Sequence, residues 1–259
     1  MAGTDRTRSQ NETEEDGLAP AVILVEPQLG ENIGMVARAM LNCGLTDLRI
    51  VRPRDGWPND KALAASVGAA GVIEAARIFE TTQEAVAGLQ RLYAATARDR
   101  DSTKTVQTPR RAAAAMRTDA ETGVRTGVLF GRESSGLDND DIALADAILM
   151  VPLNPGFTSL NLAQAVFVTG YEWFIAADET PPEFLNIPKE THPAAKQDLI
   201  HLFEHLEDEL IDCGFLNPPA KRPAMIRNIR NMLQRAAFTD QEVRTFRGII
   251  AGLSRKRKG

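Results

Sequence analysis

Hydrophobic residues in this chain fall into short unbroken runs separated by longer stretches in which they recur every three or four positions. That is the mark of buried strands alternating with amphipathic helices. AVILVE (21–26) is a run of the strand type, followed by a loop and the helical IGMVARAMLNC, which ends at Gly44. LRIVRP (48–53) predicts a second strand, and KALAASVGAAGVIEAA reads as one helix despite its glycines. RIFET and RLYAAT predict short strands flanking the helical TQEAVAGL, and PRRAAAAMR predicts a helix with Pro109 in its first turn. TGVLFG (126–131) and AILMVPL (147–153) predict strands separated by the short helix DNDDIALAD. The long apolar helix LNLAQAVFVTGYEWFIAAD closes the unit. Strands alternating with helices in this way build an α/β fold around a mostly parallel sheet covered on both faces.

Outside this unit the pattern changes. Residues 1–19 are polar, show no periodicity and are expected to be disordered. DETPPEFLNIPKETHP (178–193), rich in proline and acidic residues, reads as a linker. From 194 to 259 the pattern is helical throughout. Its first helix carries an apolar stripe at Leu199, Leu202, Phe203, Leu206 and Leu210, and MIRNIRNMLQRAA and QEVRTFRGIIAGL follow. The expected organisation is a tail (1–19), an α/β domain (20–177), a linker (178–193) and a helical extension (194–259).

Composition, 43% hydrophobic and 25% charged, is that of a globular protein with ample material for a core. No apolar stretch reaches the roughly 18 residues of a membrane span, and the N-terminus is polar and acidic, so a cytoplasmic protein without a membrane partner is expected. Cys43 and Cys213 are too few for a disulfide framework and lack metal-ligand spacing. His201 and His205 lie four apart on one predicted helix, but the one other histidine, His192, lies outside that helix and no HExxH pattern occurs, so no metal is expected. The net charge of −5 conceals an asymmetry. Residues 1–220 carry 19 Lys and Arg against 33 Asp and Glu, whereas residues 221–259 carry 11 against 2. A basic segment on an acidic protein is the footprint expected for a polyanion partner, usually nucleic acid.

In an open α/β sheet, ligands bind where loops leave the carboxyl ends of the strands, and four such loops here are unusually decorated. GENIGMVARA (30–39) places Asn32 just before an apolar helix and Arg38 near the end of its second turn, with Gly34 permitting another segment to approach. ATARDRDSTK (95–104) is polar and basic, suited to a cofactor or to phosphates. LFGRESSGLDNDD (129–141) ends a strand at Gly131, presents Arg132 and Glu133, and turns at Gly136. NPGFTSLNLAQAV (154–166) sets Thr158, Ser159 and Asn161 at the mouth of an apolar helix, where one helix cap would suffice. No Gly-x-Gly-x-x-Gly follows the first strand and no Walker loop occurs, which argues against a nucleotide-dependent oxidoreductase.

Taken together, NIGMVARA, LFGRESSGL and NPGFTSLNLAQAV resemble motifs 1, 2 and 3 of the SpoU/TrmH branch of SPOUT RNA methyltransferases, in the right order and spacing over residues 21–177. IRNMLQRAAFTDQEVRTFRGII resembles the C-terminal part of a tRNA 2′-O-methyltransferase of that branch. The resemblance implies a SPOUT domain with a C-terminal trefoil knot, followed by a small all-helical extension. It also implies a homodimer that methylates a ribose 2′-hydroxyl of tRNA, with the pyrimidine nucleotide at position 32 of the anticodon loop as the expected target. The same family includes enzymes that act on ribosomal RNA or on other tRNA positions, and a non-catalytic RNA-binding relative is a further alternative.

The resemblance also assigns residues. S-adenosylmethionine would be held by Ala95, Thr96 and Ala97, by Gly131, and by Val151, Leu153, Gly156, Thr158, Ser159 and Leu160, with Leu129 helping to form an apolar slot for adenine. Arg38 is the implied base, or a clamp on the substrate phosphate that stabilises the developing alkoxide. Asn32 and Glu133 would orient Arg38 or the ribose, and Ser159 and Asn161 would position the substrate. Arg98 and Arg132 would contact RNA phosphate, and Arg227, Arg230 and Arg235 would extend the RNA platform.

Overall fold

AVILV and TGVLF, buried at all five positions, are the adjacent strands at the middle of a parallel sheet, as expected where strands are covered on both faces. The computed structural model describes residues 18–97, 103–180, 182 and 191–257. Most of the expected N-terminal tail, Arg98 and most of the linker therefore lie outside the described residues. The described chain divides into two compact units, parting between residues 180 and 181.

The first unit holds a seven-stranded sheet, with β1 (Ala21–Val25), β2 (Leu48–Val51), β3 (Arg77–Phe79), β4 (Arg91–Ala95), β5 (Thr105–Gln107), β6 (Thr126–Phe130) and β7 (Ala147–Leu149). Their order is β3-β2-β1-β6-β4-β7-β5, and every pairing is parallel. Among the described residues six helices connect them, α1 (Gly30–Asn42), α2 (Asp60–Ala65), α3 (Ala70–Glu74), α4 (Thr82–Val86), α5 (Pro109–Glu121) and α6 (Asn139–Leu144), and α7 (Leu162–Ile175) follows the last strand. Side chains alternate across each strand. Val22, Leu24, Val128 and Phe130 pack in one layer with residues of α1, α5 and α7, such as Val36, Met116 and Val166. Ile23, Val25 and Leu129 pack in the other, with Ala85 of α4 and Ile142 of α6.

Three elements depart from the sequence pattern. Strand β5, the short edge segment Thr105–Gln107, has no counterpart among the expected strands. The helix expected across 61–76 is broken into α2 and α3, because Gly68 turns the chain at φ +83°, a conformation that a side chain resists. The strand expected over 147–153 stops at Leu149, and the chain from Met150 onward leaves the ladder as a loop. Gly34 behaves as the pattern suggested: a Cβ there would lie 2.3 Å from the Ala62 carbonyl oxygen, so α2 sits directly on α1.

The second unit is helical, with α8 (Lys196–Asp212), a 3-10 turn (Pro219–Lys221), α9 (Arg222–Gln234) and α10 (Asp240–Arg257). Leu199, Leu202, Phe203, Leu233, Val243 and Ile250 form its core. Thr239 and Glu242 form a reciprocal cap at the start of α10, with the Thr239 amide donating to the Glu242 carboxylate at 2.7 Å and the Glu242 amide to the Thr239 hydroxyl at 3.3 Å. Arg230, expected to extend the RNA platform, donates to both oxygens of Glu207 at 2.6 and 2.8 Å. Glu207 is only 8% exposed, so removing its partner strands a buried carboxylate. Arg230→Ala is therefore expected to destabilise the protein by about 2 kcal/mol, between the values for exposed and fully buried pairs. Urea unfolding followed by circular dichroism would show this as a lower midpoint, and an unchanged midpoint would refute it.

Candidate active site

The carboxyl ends of β4, β6 and β7 open into a cavity of about 270 Å³ on the side of the sheet that carries α7. Strand β6 lies between β1 and β4, so the chain leaves neighbouring strands here in different directions, which is where open α/β sheets place their ligands. The expected residues Ala95, Thr96, Ala97, Gly131, Val151, Leu153, Thr158, Ser159 and Leu160 all line the cavity. Leu129 does not. It precedes Phe130 on β6, its side chain leaves the opposite face, and Phe130 takes the wall position together with Leu149. Gly156 is also absent from the wall: it lies exposed in a turn, its amide donating to Asn154 Oδ1 at 3.0 Å.

Gly131 has a strict steric role. A Cβ at this position would fall 2.2 Å from the carbonyl carbon of Gly136 and 2.2 Å from the amide nitrogen of Leu137. Only a glycine lets the loop after β6 fold back against the strand end, closed by the Gly136 amide donating to the Arg132 carbonyl at 2.8 Å.

That fold-back aims Glu133 at the start of α1. The N-cap position, Leu29, has no side-chain cap of its own. Glu133, distant in sequence, accepts from the Gln28 amide at 2.8 Å and the Leu29 amide at 3.3 Å, placing a carboxylate at a positive helix end. It also accepts from Asn32 Nδ2 at 2.8 Å. Asn32 lies inside α1 rather than before it, is 6% exposed, and accepts from Asn161 Nδ2 at 3.2 Å through its own Oδ1. Asn161 in turn caps α7, accepting from the Ala163 amide at 2.9 Å, while the Gln164 side chain accepts from the Asn161 amide at 3.0 Å. A single polar chain, Glu133–Asn32–Asn161, thus joins the loop after β6, the first turn of α1 and the cap of α7, and leaves the buried Asn32 satisfied.

The arginines divide. Arg132 lines the cavity but is held by Glu26 at 2.6 Å, with Asp138 3.8 Å away. Glu26 also takes Arg52 at 2.6 Å, and the bonds from Arg132 and Arg52 hold its carboxyl below the usual range. Glu26 and Arg52 sit at left-handed φ values of +49° and +42° at the ends of neighbouring strands, a locally strained backbone that leaves both side chains in one ion-pair cluster with Arg132. Nothing in the sequence pattern marked either residue. Arg38 is exposed on α1 and is absent from the cavity wall. Six residues from Asn32, it leaves the helix about a third of a turn round from it, on the face that also exposes Met35. Arg227 and Arg235 are exposed on or beside α9.

Comparison with known proteins assigns this arrangement to a class. Residues 19–171 match the model of the SpoU rRNA Methylase family, and the chain belongs to that family. Residues 197–259 match a second model, the C-terminal domain of the tRNA methyltransferase TrmJ. The tRNA (cytidine/uridine/adenosine-2′-O-)-methyltransferase TrmJ of Pseudomonas aeruginosa is 34% identical, over 92% of this chain and 95% of its own. The tRNA (cytidine/uridine-2′-O-)-methyltransferase TrmJ of Klebsiella pneumoniae is 33% identical, over 92% and 97%. The crystal structure of TrmJ from Z. mobilis has the same fold with a TM-score of 0.78 and 46% identity, covering 91% of this chain and 99% of that one. Among the described residues, no group of three or more His, Cys, Asp or Glu side chains could hold a metal ion, and no helix is long and apolar enough to cross a membrane.

Proposed function

We propose that this chain is an S-adenosylmethionine-dependent tRNA methyltransferase that acts, as a cytoplasmic homodimer, on the 2′-hydroxyl of the pyrimidine nucleotide at position 32 of the anticodon loop. The observation that carries the reading is the Glu133–Asn32–Asn161 chain at the cavity, which brings together the residues of all three motifs. The cavity suits the donor. Its apolar walls, Phe130, Leu149, Val151, Leu153 and Leu160, fit an adenine ring, and Thr158 and Ser159 add hydroxyls at the polar end. When bound, S-adenosylmethionine supplies a methyl group activated by its positive sulfur.

The chain's own residues then have two tasks: to align the ribose oxygen and to manage its proton. Ser159 and Asn161 position the ribose, with Asn161 held rigid by its capping role and by Asn32. Arg38 grips the adjoining phosphate and stabilises the alkoxide as it develops. Its outward placement on α1 supports a site completed by a second copy of the chain. Helix α7 offers a contact surface, with Phe167, Tyr171 and Phe174 exposed at 42%, 49% and 45% along one face. The trefoil knot of the SPOUT fold, formed around the 150–161 loop and α7, belongs to the same reading.

In this reading the donor site belongs to a methyltransferase domain at 20–177, and much of the RNA affinity to a helical extension at 194–259, through Arg227, Arg235 and the basic residues beyond them. Deleting residues 179–259 is expected to weaken tRNA binding far more than S-adenosylhomocysteine binding, measured by filter binding and calorimetry. Equal losses would contradict the division of labour. In the same calorimeter the full chain should bind S-adenosylhomocysteine and not NAD, and the reverse result would overturn the proposed function.

A further inference from the structure

Phe157 is 73% exposed, and among the described residues no other aromatic ring is as open to solvent. Single exposed apolar side chains are ordinary. The position of this one is not, because the next two residues, Thr158 and Ser159, line the cavity. Nor does the ring hang on a loose loop. Asn154, Pro155, Gly156 and Phe157 form a turn closed by the Phe157 amide donating to the Asn154 carbonyl at 2.8 Å. The Asn154 side chain accepts from the Gly156 amide at 3.0 Å, and Pro155 fixes its own backbone angle. The turn therefore fixes the backbone of Phe157 immediately before the cavity-lining Thr158 and leaves its flat apolar ring in water.

We propose that Phe157 is the stacking platform for the base of the nucleotide being methylated, a role that rests on the methyltransferase reading above. For a ribose hydroxyl to reach the cavity, the nucleotide must leave its neighbours in the loop and lose its stacking. An aromatic ring at the rim restores that contact. Stacking is tolerant of base identity, since every base presents a π face. This agrees with the relatives' names, in which cytidine and uridine, and for Pseudomonas aeruginosa also adenosine, are accepted. A hydrogen-bonding reader of one base edge would be far more selective.

The test is steady-state methylation of tRNA by the full-length protein and three variants. Phe157→Ala should raise the KM for tRNA about tenfold, within the range of base–aromatic stacking. Its affinity for S-adenosylhomocysteine should stay within about twofold of wild type, because this ring does not line the cavity. Phe157→Trp should retain a KM near wild type, and Phe157→Leu should resemble the alanine variant, being apolar without a π face. A wild-type KM in Phe157→Ala overturns the proposal. So does a leucine variant as good as the tryptophan one. Conversion of Phe157→Ala to a monomer in analytical ultracentrifugation would assign the ring to a contact between copies instead, and also overturns it. No transfer by the wild-type protein would sink the methyltransferase reading and this role with it.

Discussion

Arg38→Ala and Arg38→Lys are each expected to lose nearly all methyl transfer, on the order of 10²–10³ in kcat, while binding of S-adenosylhomocysteine is preserved. The second half of the expectation follows from geometry: Arg38 is exposed on α1 and contributes nothing to the cavity wall. The first half follows from chemistry. A ribose hydroxyl is a poor nucleophile until its proton is leaving, and a fixed cation beside the oxygen favours the charge that develops. Lysine preserves the charge but not the planar fork that grips phosphate and oxygen together, so it should not rescue. Single-turnover kinetics with saturating tRNA separates this loss from a loss of affinity. An active Arg38→Ala protein would remove Arg38 from the account.

Gly131→Ala should fail differently, losing donor binding and turnover together. The added carbon would lie 2.2 Å from two backbone atoms of residues 136 and 137, so the loop after β6 must shift as a whole. That shift moves Arg132 and Ser134 in the wall and pulls Glu133 from Asn32 and the start of α1. A displacement of about 1 Å in such a site is worth roughly 10²-fold in rate. Calorimetry with S-adenosylhomocysteine reads the binding loss directly, and normal affinity in Gly131→Ala would contradict the wall assignment. The two variants can also be combined. If Arg38 serves a partner's cavity, mixing the two inactive proteins yields heterodimers with one complete site, and up to about a quarter of wild-type activity should return. No return would place Arg38 in its own chain's site.

The sheet was largely legible in the sequence because its strands are short apolar runs, and AVILV and TGVLF could be little else. The site was legible as a set of loops and, through the motifs, as a family. What the pattern could not give was phase. Leu129 and Phe130 are both apolar neighbours at a strand end, and only the register of β6 decides which one faces the cavity. Asn32 was expected just before the helix and lies inside it, because local reading cannot see Glu133, which anchors the start of that helix from a hundred residues away. The ion pair of Arg230 was likewise invisible, because its partner, Glu207, is one helix back and buried only once the bundle forms. The last two cases concern partners distant in sequence. Hydrophobic periodicity carries no information about such partners.

The most direct measurement is transfer of a radiolabelled methyl group from S-adenosylmethionine to unmodified tRNA by the purified protein, followed by alkaline hydrolysis of the product. A 2′-O-methyl group blocks cleavage at its own linkage, because the neighbouring hydroxyl is no longer free to attack the phosphate. The account predicts that the label survives in an alkali-resistant dinucleotide derived from position 32. Label released in a mononucleotide, which would mean methylation on the base, or no incorporation at all, would contradict it.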